Sequence, residues 1–120
     1  MMWSVLVLSQ SEGSEWKHIE AAPYLKIRAV LSSDAVELYL KFFGCEERIA
    51  SFSLSDLSVQ KRYSSVAMFL STRKVQMKLH SSSAADSMAE KISYVQTMRK
   101  LANGLSAITL KYAQNSTASQ

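Results

Sequence analysis

Lys74-Val75-Gln76-Met77-Lys78-Leu79-His80 is followed, after three serines, by Ala84-Ala85-Asp86-Ser87-Met88-Ala89-Glu90-Lys91-Ile92, and the spacing of the apolar residues changes between the two stretches. In the first, Val75, Met77 and Leu79 alternate with Lys74, Gln76, Lys78 and His80, the period of two that half-buries a strand. In the second, apolar residues recur every three or four positions, at Ala85, Met88, Ile92, Val95, Met98, Leu101 and Leu105, the stripe of an amphipathic helix. Ser83 with Asp86 reads as a capping pair, and Asn103-Gly104 reads as a stop, so the spacing predicts a helix over Ser83–Asn103, about six turns and roughly 30 Å long. On this pattern Met77, Met88 and Met98 are core residues.

Upstream, the period of two recurs. Leu25, Ile27, Ala29 and Leu31 alternate with Lys26, Arg28 and Val30. After a turn at Ser32-Ser33-Asp34, Val36, Leu38, Leu40 and Phe42 alternate with Glu37, Tyr39 and Lys41. That is an antiparallel hairpin with one buried face. Trp3–Gln10 reads as a first strand, Glu15–Glu20 as a short strand or turn, and Arg48–Leu54 as another strand after a turn at residues 44–47. The polar stretch Ser55–Ser65 reads as a loop, and residues 66–71 and 74–80 as a second hairpin around Thr72-Arg73. Thr109–Ala113 reads as a short extended segment, and residues 114–120 as a flexible polar tail that opens a linker. Consecutive hairpins cannot supply parallel crossovers, so the expected class is α+β. It comprises an antiparallel, two-layer β structure of six to seven strands over residues 1–113, closed by one C-terminal helix. That layout resembles a pleckstrin-homology-like domain.

The 120 residues carry a formal charge of +4, unevenly spread. Through residue 60, eight acids oppose five bases for a net −3; beyond it nine bases oppose two acids for +7. The basic excess thus falls on the second hairpin and the helix, which suits an anionic partner. Cys45 is the only cysteine, so no disulfide can form within the chain. The N-terminal apolar run is too short for a signal-peptide core or a spanning helix, and the sequon Asn115-Ser116-Thr117 has no secretory context.

Chemistry is sparse. No glycine-rich phosphate loop is present, and His18 and His80 lie far from ligand spacing. Cys45 precedes two acids, which disfavour a thiolate. Glu46-Glu47 are adjacent turn acids rather than carboxylates paired across a cleft. The expectation is a non-enzyme with no metal and no cofactor.

Two resemblances give function. Lys17, Lys26 and Arg28 echo the Lys and basic-x-Arg pattern of phosphoinositide-binding pleckstrin-homology domains, which implies a membrane-recruitment domain. The second is more specific. Glu15-Trp16-Lys17, Ala50-Ser51-Phe52-Ser53-Leu54, Lys74-Val75-Gln76-Met77 and Val95-Gln96-Thr97-Met98 occur in the order found in one family. The family is the N-terminal pleckstrin-homology-like domain of the accessory subunit of the meiotic DNA double-strand-break machinery, and the resemblance spans about residues 15–102. Fission-yeast-type members fit it as well as animal ones, although the region after Leu54 is shorter and more basic than in the latter. The resemblance implies a nuclear, chromosome-associated scaffold that docks short segments of other break-machinery proteins, with a distant C-terminal region for assembly and DNA binding. It implies core roles for Trp16, Phe52, Leu54, Val75 and Val95. A histone- or peptide-binding chaperone domain of similar fold is a third reading.

For a docking surface, Lys74, Gln76 and Lys78 share one strand face, with Phe69 or Met68 across the hairpin and Lys61, Arg62 and Arg73 at the rim. An apolar anchor ringed by cations suits a segment carrying an aromatic residue and nearby acids. DNA binding by this chain alone is expected to be weak, because few phosphate contacts are available.

Overall fold

Strand β1 (Met2–Glu12) is long enough to be shared, and the sheet is organised around it. A computed structural model describes the backbone of residues 1–118 and the side chains of residues 1–105. Along one edge β1 pairs with β3 (Leu25–Leu31) through residues 2–5, and with β2 (Glu15–Glu20) through residues 7–12. Pro23 and Tyr24 break what would otherwise be one strand into β2 and β3. The other edge of β1 takes β8 (Arg73–Leu79), with a bulge between Val5 and Val7.

The remaining strands are β4 (Ala35–Phe42), β5 (Cys45–Ser53), β6 (Ser58–Arg62) and β7 (Ser65–Phe69). The order β5-β4-β3-β1-β8-β7-β6, with β2 also on β1, makes one open eight-stranded sheet in which every pairing is antiparallel. A 3₁₀ turn (Leu54–Asp56) carries the chain from one end of the sheet to the other, and one helix, α1 (Ser82–Ala118), completes the α+β architecture.

Val5, Leu8, Ile27, Leu38, Phe52, Met68, Met77 and Leu79 are buried in one cluster with Ala85, Met88 and Ile92 of α1. Both ends of the sheet therefore meet over a common core, and the first third of the helix closes it. Gln96 fixes the next turn: its Nε2 donates to the carbonyls of Leu54 at 3.0 Å and Leu57 at 2.7 Å. Arg99 donates to the Ser33 carbonyl at 3.0 Å and to the Asp34 carboxylate at 2.8 Å, tying α1 to the β3–β4 turn.

Several expectations are corrected. The loop expected over Ser55–Ser65 contains β6, an edge strand in which only Val59 packs toward the core, so the strand carries no alternation to read. Strand β5 starts at Cys45 because Phe43 and Gly44 alone make the turn, with φ of +47° and +82°. The helix cap is Ser81, whose Oγ accepts the Ala84 N–H at 3.1 Å; Asp86 instead pairs with Lys61 on β6. The stop at Asn103-Gly104 is passed over, and the segment expected to be extended at 109–113 is helical, as are residues 114–118. Gly104 adopts no positive φ, and one interior glycine costs a helix only about 1 kcal/mol. Residues 119 and 120 of the expected tail lie outside the described residues. Met98 is 47% exposed rather than a core residue. Among the described residues, no helix is long and apolar enough to cross a membrane.

Candidate docking face

Side-chain alternation gives each half of the sheet an outer face, and on the β2-β1-β8-β7-β6 half the registers align its residues in three rows. The first row runs Trp16, Ser11, Lys74, Phe69, Ser58; the second His18, Ser9, Gln76, Ala67, Gln60; the third Glu20, Val7, Lys78, Ser65, Arg62. On the β8-β7-β6 side, small residues at Ser65 and Ala67 keep the surface low. The result is an open trough of about 740 Å³ lined by Gln60, Arg62, Tyr63, Phe69, Lys74 and Gln76 among others.

The first row is the chemical centre. The Lys74 ammonium lies 5.1 Å from the Phe69 ring centroid and 5.9 Å from that of Trp16. An ammonium held between two ring faces is attracted by both, worth about 0.5–1 kcal/mol each at an exposed site. This leaves its charge unneutralised by any carboxylate. Among the described residues, no ion pair involves Lys74, Lys78 or Arg62. In the second row Ser9 Oγ and His18 Nδ1 are hydrogen-bonded at 2.9 Å, and His18 Nε2 lies 3.2 Å from Glu20.

Five of the seven residues expected at the surface, Lys61, Arg62, Phe69, Lys74 and Gln76, line this trough, and Lys78 extends the same face. Lys61 has the parity of Val59 rather than of Gln60 and Arg62 and is ion-paired to Asp86 of α1, so it turns toward the helix side and meets the trough only at its edge. The alternative of Phe69 or Met68 resolves cleanly: Met68 is fully buried, and Phe69 is the outward residue. Arg73 is a correction. It shares the parity of Val75 and Met77, faces the other way, donates to Gln10 Oε1 at 3.3 Å and covers the Phe52 ring at 4.9 Å.

Trp16 is a correction in the opposite direction. It is 54% exposed rather than core, whereas Phe52, Leu54 and Val75 are buried and Val95 packs against the core. The signal was present, since Ile19, the apolar residue that β2 turns inward, has the opposite parity to Trp16. Tyr63, 78% exposed at the β6–β7 turn with φ of +55°, had no such signal, because tyrosine is not a turn residue.

The three cations of the lipid-binding echo are not brought together. Lys17 lies opposite Gln10 on the other side of β2 from Trp16, while Lys26 and Arg28 belong to the outer face of β3. Arg28 is already committed to Glu46, to Met2 Sδ and to the Tyr39 ring at 5.7 Å. Among the described residues, no group of three or more His, Cys, Asp and Glu side chains could hold a metal ion. No protein-family model matches the chain, and no curated protein is significantly similar to it.

Proposed function

We propose that this chain is a pleckstrin-homology-like protein-interaction domain that docks short segments of partner subunits in the trough, within a nuclear, chromosome-bound scaffold for meiotic DNA break formation. The observation that carries the docking reading is the uncovered Trp16–Lys74–Phe69 row, two aromatic anchors around a cation without a carboxylate. Two aromatic residues with a positive neighbour, Phe69 in the trough and Trp16 beyond its edge, favour an extended or helical segment bearing an aromatic side chain and one or two acids.

Two features support the fold and family parts of the reading. One long shared strand, hairpins on both of its edges and a last helix sealing the core is the layout expected of a pleckstrin-homology-like domain. The motifs behind the family resemblance also meet in space as pairs. Gln96 of the Val-Gln-Thr run holds the Leu54 carbonyl of the Phe-Ser-Leu strand, and Trp16 lies one strand away from Lys74 of the Lys-Val-Gln strand.

The test uses the whole chain as bait in extract from meiotic cells, with cross-linked segments mapped, beside the double variant Lys74→Glu, Lys78→Glu. Both lysines are outward, so circular dichroism and melting should be unchanged. Break-machinery subunits should be recovered by the native chain and lost, by tenfold or more, from the variant. Equal recovery by both proteins would remove the trough from the proposal.

A further inference from the structure

Phe42-Phe43-Gly44-Cys45 crosses from β4 to β5 in a turn whose two central residues both have positive φ. Such turns favour Asn-Gly, because a side chain in the left-handed region is strained by about 1–2 kcal/mol and asparagine is among the few residues that bear it easily. Here the position is held by Phe43, which is 77% exposed. Beside it Phe42 is 46% and Tyr24 is 57% exposed. The three rings form a single cluster, with centroids 4.4 Å apart for Phe42 and Phe43, 5.9 Å for Tyr24 and Phe42, and 6.1 Å for Tyr24 and Phe43. Local strain and exposed aromatic surface coincide at one hairpin tip, where neither helps the fold.

The charges beneath the tip are also unfavourable to the isolated protein. Lys26 and Lys41 are direct cross-strand partners, a like-charge pairing that destabilises a sheet. Glu46, the other cross-strand neighbour of Lys41, is committed to Arg28, and among the described residues neither lysine forms an ion pair. With Pro23, Tyr24, Phe43 and Gly44 the two lysines line a shallow dish of about 510 Å³. An anion between them would turn a repulsive pair into an attractive site.

We propose that the Tyr24–Phe42–Phe43 tip inserts into the interfacial zone of an anionic lipid bilayer, with Lys26 and Lys41 against its headgroups. Shape decides for a bilayer over a folded partner. The exposed parts of three rings amount to roughly 350 Å², taking a whole aromatic side chain as about 200 Å². That is well short of the ~800 Å² per partner of a stable protein interface. A fluid interface closes around a projecting tip from all sides, so a small convex group buries all of its surface there. Aromatic rings favour the headgroup level, and lysines beside them keep their ammonium groups in the polar layer while their stems stay apolar. The anionic leaflet adds attraction for each lysine near its surface. This site differs from headgroup chelation by Lys17, Lys26 and Arg28, and it is independent of the trough on the other half of the sheet.

The experiment is sedimentation of the whole chain with phosphatidylcholine vesicles, with and without phosphatidylserine, at low and raised salt. The native chain should sediment with the phosphatidylserine vesicles and be released by salt. Phe43→Asn should weaken this about tenfold; it supplies the turn's preferred residue, so loss of binding cannot be assigned to misfolding. Lys26→Ala with Lys41→Ala should abolish the preference for phosphatidylserine. Lys74→Glu with Lys78→Glu should leave vesicle binding in place, separating this result from the fate of the trough. Three outcomes would overturn the proposal: no sedimentation of the native chain, binding indifferent to Phe43→Asn, or binding lost only with Lys74 and Lys78. Capture of a soluble protein through the tip without vesicle binding would overturn it as well.

Discussion

The outer faces of the two halves of the sheet are built from similar numbers of charged residues and end in opposite states. On β3-β4-β5, Arg28 is held by Glu46, while Glu37 accepts from both the Tyr39 hydroxyl at 2.6 Å and Arg48 at 3.5 Å. Only Lys26 and Lys41, at the tip, are left over. On β2-β1-β8-β7-β6, Lys74 is matched to two rings, and Lys78 and Arg62 have no carboxylate among the described residues. Exposed ion pairs contribute about 0–1 kcal/mol, so the first face gains little stability from its pairing. What it loses is availability. A charge already answered by a neighbour offers little to a ligand, and the surplus of +7 beyond residue 60 matters because part of it remains unanswered.

The two halves share the β1–β3 pairing and are also tied by the chain crossing at Leu54–Leu57, and the strongest way to break the comparison is to release that crossing. Gln96→Ala strips the hydrogen-bond donor from two half-buried carbonyls and should destabilise the domain by about 1–3 kcal/mol in urea unfolding. The outer faces are untouched by this change, so docking in the trough should fall only as far as the folded fraction falls. A loss under about 0.5 kcal/mol would mean that the helix does not hold the halves together through this side chain.

That role was not legible, whereas much of the frame was. The β3–β4 hairpin and β8 announced themselves because each has one face against the core and one against water. The same alternation placed Lys74, Gln76 and Lys78 together, which is the β8 side of the docking face. It could not place β6, whose inward positions hold one apolar residue, Val59, and one charged one, Lys61. Nor could it end the helix: a sequence stop states where a helix is permitted to finish, and tertiary contact decides whether the permission is used. Leu101 and Leu105 follow the helical stripe yet are 56% and 64% exposed, because a period shows which residues share a side without showing how far the opposing surface extends. Gln96 is a polar residue serving two distant carbonyls, and such a role has no periodic signature at all.

Arg73 and Lys74 sharpen the comparison, since neighbours in one strand serve opposite faces. Grouped by charge alone they belong to one basic rim; by parity they do not. Arg73→Ala removes the guanidinium over Phe52 and its bond to Gln10, and should cost about 1 kcal/mol of stability, read by thermal or urea melting. Partner affinity at the trough should be unchanged. A weakened complex with unchanged stability would return Arg73 to the docking surface and make the two faces less separate than the registers imply.

The smallest effect tests whether the first face is closed as described. The Tyr39 hydroxyl donates to Glu37 and is the main reason that this carboxyl titrates below its ordinary range; burial acts against the shift, and Arg48 adds to it. The same bond raises the Tyr39 phenol, with burial and the negative charge of Glu37 acting in the same direction. A depressed carboxylate stabilises the fold above the ordinary carboxylate range, and that contribution is lost as pH falls through the lowered value. The phenol has the opposite sense: its contribution is present below the ordinary tyrosine range and is lost as pH rises through the raised value. Tyr39→Phe should therefore move the Glu37 titration upward, followed by NMR of its side-chain carboxyl carbon, with little change in stability because both groups are near the surface. Arg48 keeps the shift from vanishing. If Glu37 titrates the same with and without the hydroxyl, the pair is not coupled, and the first face has a carboxylate to offer after all.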